Sequence, residues 1–206
     1  MESISLGWNC DSAQWGQSVK IRKTKAEGYK TCPFDLILSN YRGIIDCIKD
    51  DFKYFCDINY LEIKKIPKES KLLPDEELIY NTKYNFMFNH ESPGHGGLYI
   101  TQEWSKGINH FVLNNYEEFI IRYNRRIQNF RDYLNSGKKI NFIIHRPRVN
   151  PNVNEILELY ETITNKYPNL NYEIILLEPS NKQAYIDHHS ILMNFTINDE
   201  ELKRLM

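Results

Sequence analysis

The chain has 206 residues, 41% of them hydrophobic, 13% aromatic and 26% charged, which is too apolar for a disordered polymer and too long for a peptide scaffold. Lys and Arg number 26 against 27 Asp and Glu, a formal net charge of -1, so no whole-molecule field draws the protein onto nucleic acid or an anionic bilayer. No apolar run approaches the ~18 residues of a membrane span, and the opening MESISLGWNCDSAQW lacks the layout of a secretory signal, so a cytoplasmic setting without membrane contact is expected.

In that setting Cys10, Cys32, Cys47 and Cys56 are expected as free thiols. They form no CxxC pair and no Cys/His cluster at zinc spacing, so no metal site is expected. The length favours one domain spanning residues 1–206.

Ser3-Ile4-Ser5-Leu6 reads as a short strand running through Gly7 into a helix capped by Asn9 and reaching Lys20. Residues 22–32 are basic, polar and loop-like. Ser39 is the expected N-cap of a second helix, whose apolar positions Tyr41, Ile44, Ile45, Ile48 and Phe52 recur at helical spacing. Residues 57–82 carry two prolines and many charges without sustained period, and they open an irregular insertion expected around residues 57–115. Inside it, a strand candidate at 84–88 feeds the glycine-rich loop that holds His90 and His95.

Asn115 and Glu118 form a capping-box-like start to a long helix with Phe119, Tyr123, Ile127, Phe130 and Leu134 on one face and Arg122, Arg125, Arg126 and Arg131 on the other. The clearest pattern follows. Ile140-Asn141-Phe142-Ile143-Ile144, an amphipathic helix through Val153, Ile156, Leu157, Tyr160 and Ile163, and Tyr172-Glu173-Ile174-Ile175-Leu176-Leu177 make a C-terminal βαβ unit with parallel strands. Both strands are nearly continuous in apolar character, which implies a sheet covered on both faces. The expected fold is therefore a three-layer α/β domain with a mainly parallel sheet.

Cys10 falls where the first strand gives way to a helix. Unpaired amides and the positive end of a helix dipole lower a thiol pKa, which makes Cys10 a candidate nucleophile with helix-start amides as its oxyanion partners. On composition alone the position better suits a small residue packed at a turn. A cysteine nucleophile needs a base, and His90, His95 and His110 are candidates. Asp35 lies between Pro33-Phe34 and Leu36-Ile37-Leu38 and is expected to be partly buried, where it could orient a histidine or cap a turn. His145, Arg146 and Arg148 follow a strand at the sheet edge where α/β proteins bind ligands, and guanidinium groups there suit carboxylate or phosphate. His188 and His189 read as surface residues.

Ser5-Leu6-Gly7 with Cys10 and Ala13, then Pro33-Phe34-Asp35, Asp51-Phe52, Phe88 with His90-Glu91, and Tyr123 with Arg125-Arg126-Ile127 and Phe130 together resemble the DUF1796 family, labelled papain-like cysteine peptidases. The blocks span roughly residues 3–145. The resemblance implies Cys10 as nucleophile, His90 as its base, and Asp35 or another polar residue as orienter. That family usually has an aromatic residue, most often Trp, after Pro-Phe-Asp, where this chain has Leu36. A papain-like fold implies an antiparallel barrel against the cysteine-bearing helix, whereas the periodicity of residues 140–177 points to a parallel sheet.

Two functions stand foremost, ahead of a protein-interaction domain with a degenerate site. One is a cysteine-dependent hydrolase or acyl transferase acting on a peptide or acyl ester, with no metal or other cofactor. The other is a non-catalytic or transferase-like module holding a phosphorylated or carboxylated ligand through Arg146, Arg148 and one or both of Arg125 and Arg126.

Overall fold

A computed structural model describes residues 1–7, 10–66, 76–95, 104–145, 153–177 and 183–186. Strands β1 (Glu2–Ser5), β5 (Ile140–His145) and β6 (Tyr172–Leu177) run parallel, and β7 (Gln183–Ile186) closes the sheet antiparallel, in the order β1-β5-β6-β7. The C-terminal βαβ unit is present as expected, its crossover carrying α4 (Val153–Lys166), the last of the four α-helices among the described residues. Register follows the apolar runs: Ile4 pairs with Phe142 and Phe142 with Ile174, all three excluded from solvent.

Alternation along β5 shows why its sequence is apolar at successive positions. Phe142 meets Phe130 of helix α3 (Leu113–Leu134) on one face, with Tyr172 and then Tyr160 of α4 beside it. Ile143 points the other way, against Gly16 of helix α1 (Asp11–Ser18). Helices therefore cover both faces, and a strand covered on both faces has no polar side to show.

Helix α2 (Tyr41–Lys49) buries Tyr41, Ile44, Ile45 and Ile48, the stripe its spacing predicts. Its cap is Asn40 rather than the expected Ser39: Asn40 Oδ1 accepts from the Gly43 amide at 2.6 Å, while Nδ2 donates to the carbonyls of Tyr84 and Asn85. Ser39 is turned inward against Gly7. One asparagine thus both starts the helix and ties it to the neighbouring hairpin.

The insertion carries order that its sequence conceals. Strands β2 (Leu61–Ile66), β3 (Glu76–Asn81) and β4 (Phe86–Phe88) form a separate antiparallel sheet, joined to the segment before α2 by a bridge between Leu38 and Met87. Its inner side feeds an aromatic cluster: Phe34 lies 5.7 Å from Phe52, and Phe88 lies 4.8 Å from Phe119, ring centre to ring centre. β2 is the outermost strand, and from Glu62 to Lys65 it is exposed.

α3 opens differently from the capping box expected at Asn115. Asn114, Asn115 and Tyr116 take left-handed backbone angles, and Asn114 Nδ2 donates to Glu117 Oε2 at 3.1 Å, so the right-handed run begins only after Tyr116. From there Phe119, Tyr123, Ile127, Phe130 and Leu134 are buried as the pattern predicts. All four cysteines are unpaired. Among the described residues no helix is long and apolar enough to cross a membrane.

Candidate active site

Cys10 occupies the N-cap of α1, just beyond the carboxyl end of β1 and on the same edge of the parallel sheet as His145, the last residue of β5. Asn9, the expected cap, lies outside the described residues. Local packing fixes the approach to the helix. Gly7 has φ +83°, and a Cβ there would run into the Ser39 hydroxyl, so a side chain is excluded on both counts. Ser12 Oγ donates to the Gly7 carbonyl and meets Ser5 Oγ at 2.6 Å, stapling the first turn of the helix to the end of the strand.

The Cys10 thiol is partly exposed, unlike those of Cys32 and Cys47. Its ionisation departs from the sequence expectation. Burial pushes the thiol above its ordinary value, the adjacent Asp11 charge adds to this, and the helix-start amide offsets them only in part. Placing sulfur at a helix head does not yield a thiolate when an acid occupies the first turn and solvent is partly withdrawn. No histidine hydrogen-bonds the Cys10 sulfur among the described residues.

His90 stands in a short 3-10 turn, Asn89–Glu91, directly after β4. Burial holds its imidazole below the ordinary value of 6.5, with Arg126 and Arg122 acting in the same direction and Glu91 against it. It is therefore neutral at pH 7 and able to accept a proton. His95 is engaged with Glu76, Nε2 to Oε2 at 2.8 Å, and His110 is buried beside Trp104 and Phe111.

Asp35 is buried as expected, and its carboxylate is held by Arg22 Nη2 at 3.0 Å, the Tyr29 hydroxyl at 3.0 Å and the Cys32 amide at 2.8 Å. Burial raises its pKa against the pull of those partners. None of them is a histidine, so Asp35 is committed to an ion pair in place of the orienting contact expected of a triad. Arg22 also reaches the Ala13 carbonyl of α1 at 3.4 Å and stacks over Tyr29, so the Asp35 pair bears on the cysteine helix.

A second buried carboxylate belongs to Glu91, which no local pattern marks. Glu91 has no solvent exposure. It faces Arg122 at 3.1 Å, Arg126 at 3.0 Å and the Tyr123 hydroxyl at 2.9 Å. The two carboxylate clusters adjoin: Arg126 feels the charges of both Glu91 and Asp35. Arg126, expected on the outer face of α3, is buried. The signal was present, since Tyr123, Arg126, Ile127 and Phe130 stand at i, i+3, i+4 and i+7 and so share the core stripe.

The structure thus places Cys10 at the carboxyl edge of the parallel sheet, His90 beside the Glu91 cluster, and Asp35 in the pair that links the cysteine helix to that cluster. Arg146 and Arg148 lie outside the described residues, as does the side chain of His145. Among the described residues no group of three His, Cys, Asp or Glu side chains converges as a metal site would require.

Comparison with known proteins found no match among curated proteins and none among solved structures. The family model described as "Putative papain-like cysteine peptidase (DUF1796)" matches residues 1–181. With its leading Ser-Leu-Gly strand exit, the cysteine that follows it and His90-Glu91 all inside that match, the chain belongs to the DUF1796 family.

Proposed function

We propose that the protein is a cysteine-dependent hydrolase of peptide or acyl-ester bonds, with Cys10 as nucleophile and His90 as general base. The observation that carries this reading is the position of Cys10: a partly exposed thiol at the head of α1, on the sheet edge where α/β folds place their reacting groups. The family description points the same way.

A raised thiol and a lowered imidazole make a neutral pair at rest, so the proton moves during attack. His90 takes the thiol proton as sulfur bonds to the carbonyl carbon, and the amides at the start of α1 receive the developing oxyanion. Collapse returns the proton from His90 to the leaving amine or alcohol and leaves an acyl thioester. Water then attacks with His90 again as base, releasing the acid and restoring the thiol.

The test is native-state labelling with iodoacetamide beside hydrolysis of a p-nitrophenyl ester. Cys32 and Cys47 are buried, and burial pushes the Cys56 thiol up to about 12, so Cys10 should be the site labelled in the folded protein. Cys10→Ser should abolish both labelling and hydrolysis with the thermal transition unchanged. Equal hydrolysis by wild type and Cys10→Ser would end the reading.

A further inference from the structure

A cavity of about 400 Å³ opens between the loop before Cys32 and α3. Lys25 and Lys30 reach it from the loop, and Arg122, Arg125 and Arg126 from the helix; among the described residues no acidic one lines it. The helix supplies these residues by spacing alone, since Arg122, Arg125, Arg126 and Asn129 stand at i, i+3, i+4 and i+7. The walls are held together. Asn129 Nδ2 donates to the Thr31 carbonyl at 2.9 Å, the Tyr133 hydroxyl accepts from the Lys30 amide at 2.8 Å, and Tyr29 stacks on Tyr133.

Five like charges in one concavity are costly unless something compensates them. Compensation is uneven. Glu91 serves Arg122 and Arg126 from below, but Lys25, Lys30 and Arg125 have no carboxylate within ion-pair distance among the described residues. Arg126 is more than nine-tenths buried and lines the cavity, with its Nη1 near Glu91 but out of line for a hydrogen bond. A guanidinium fixed by a buried acid, with exposed cations around it, is a pre-organised anion receptor.

We propose that this cavity is a binding site for a phosphorylated small molecule, carrying a phosphate monoester or a diphosphate. A single carboxylate would leave most of the charge uncompensated, whereas a phosphoryl group offers up to two charges and three acceptor oxygens to converging donors. The volume lies within the roughly 300–1,000 Å³ of small-ligand pockets. A nucleic-acid strand is disfavoured because the chain as a whole has a formal net charge of -1 and these cations sit in a concavity rather than along a stripe. The site does not depend on Cys10 chemistry.

Isothermal titration of the full-length protein with inorganic pyrophosphate, inorganic phosphate and acetate tests the proposal, with a single-stranded oligonucleotide as a fourth titrant. Pyrophosphate should bind more tightly than phosphate, and acetate should not register. Lys30→Glu combined with Arg125→Glu changes two exposed side chains and should keep the thermal transition while weakening pyrophosphate at least tenfold. Cys10→Ser should bind pyrophosphate like wild type. Absence of pyrophosphate binding, undiminished binding by the charge-reversed variant, or tighter binding of the oligonucleotide than of pyrophosphate would each overturn the assignment.

Discussion

Arg22 Nη2 stands 3.0 Å from Asp35 Oδ2, and both side chains are withdrawn from water. The pair joins the segment leaving α1 to the segment entering α2, with Tyr29 and the Cys32 amide completing the shell of the carboxylate. Its partners are already engaged, so Asp35 holds the scaffold around the cysteine helix.

Removing one charge should therefore be worse than removing both. Asp35→Asn leaves Arg22 buried and unpaired, and should cost about 3–5 kcal/mol in urea denaturation. Arg22→Met with Asp35→Leu should cost markedly less, because no uncompensated charge remains. A single mutant no less stable than the double would show that the pair does not hold this region.

Gly7→Ala should destabilise through two separable causes. The positive φ costs roughly 1–2 kcal/mol for a residue with a Cβ, and the methyl group collides with the Ser39 hydroxyl. Adding Ser39→Ala should recover the steric part and leave the backbone part. Thermal unfolding of the single and double variants measures both.

On the far side, Arg42 and Lys49 of α2 hold the Glu158 carboxyl of α4 down to about 2. A folded-state pKa below the ordinary 4.5 means that the contribution is complete above about 4.5 and is lost as pH falls toward 2. These side chains are one-third to one-half exposed, so screening limits the effect to about 1 kcal/mol or less. Glu158→Gln should lower the urea midpoint slightly at pH 7, and the difference should shrink at pH 3 and in 1 M salt.

The pH profile of ester hydrolysis should carry the signature of a neutral pair. His90 is held below 6.5 by burial and the nearby arginines, so activity should stay level down to the ordinary imidazole range and fall only beneath it. Iodoacetamide labelling of Cys10 should instead climb only above the ordinary thiol value of 9.0, because burial and Asp11 oppose the thiolate. Labelling already at its plateau at pH 7 would contradict that picture.

The parts of the fold legible in sequence were those whose burial imposes a period. Tyr41, Ile44, Ile45 and Ile48 announced α2, and the unbroken apolar runs at 140–144 and 172–177 announced parallel strands packed on both faces. β2 stayed hidden because an outer strand in contact with water has little need to alternate: only Leu61 in Leu61-Glu62-Ile63-Lys64-Lys65-Ile66 is fully buried. The buried charges were legible only by type. Arg22 and Asp35 are 13 positions apart in loops without any period, and Glu91 meets Arg122 across 31 positions. Such partnerships come from the tertiary path of the chain, which local spacing does not encode.

β2 also bears on how the protein behaves in concentrated solution. Among the described residues no strand pairs with the outer margin of β2; such a margin is a template on which another molecule can add its own strand, and the exposed Glu62, Lys64 and Lys65 place charge along it. Exchanging those two lysines for valine would strip the guard from a stretch already bearing Ile63 and Ile66, and would turn a charged margin into a seed for cross-β aggregation.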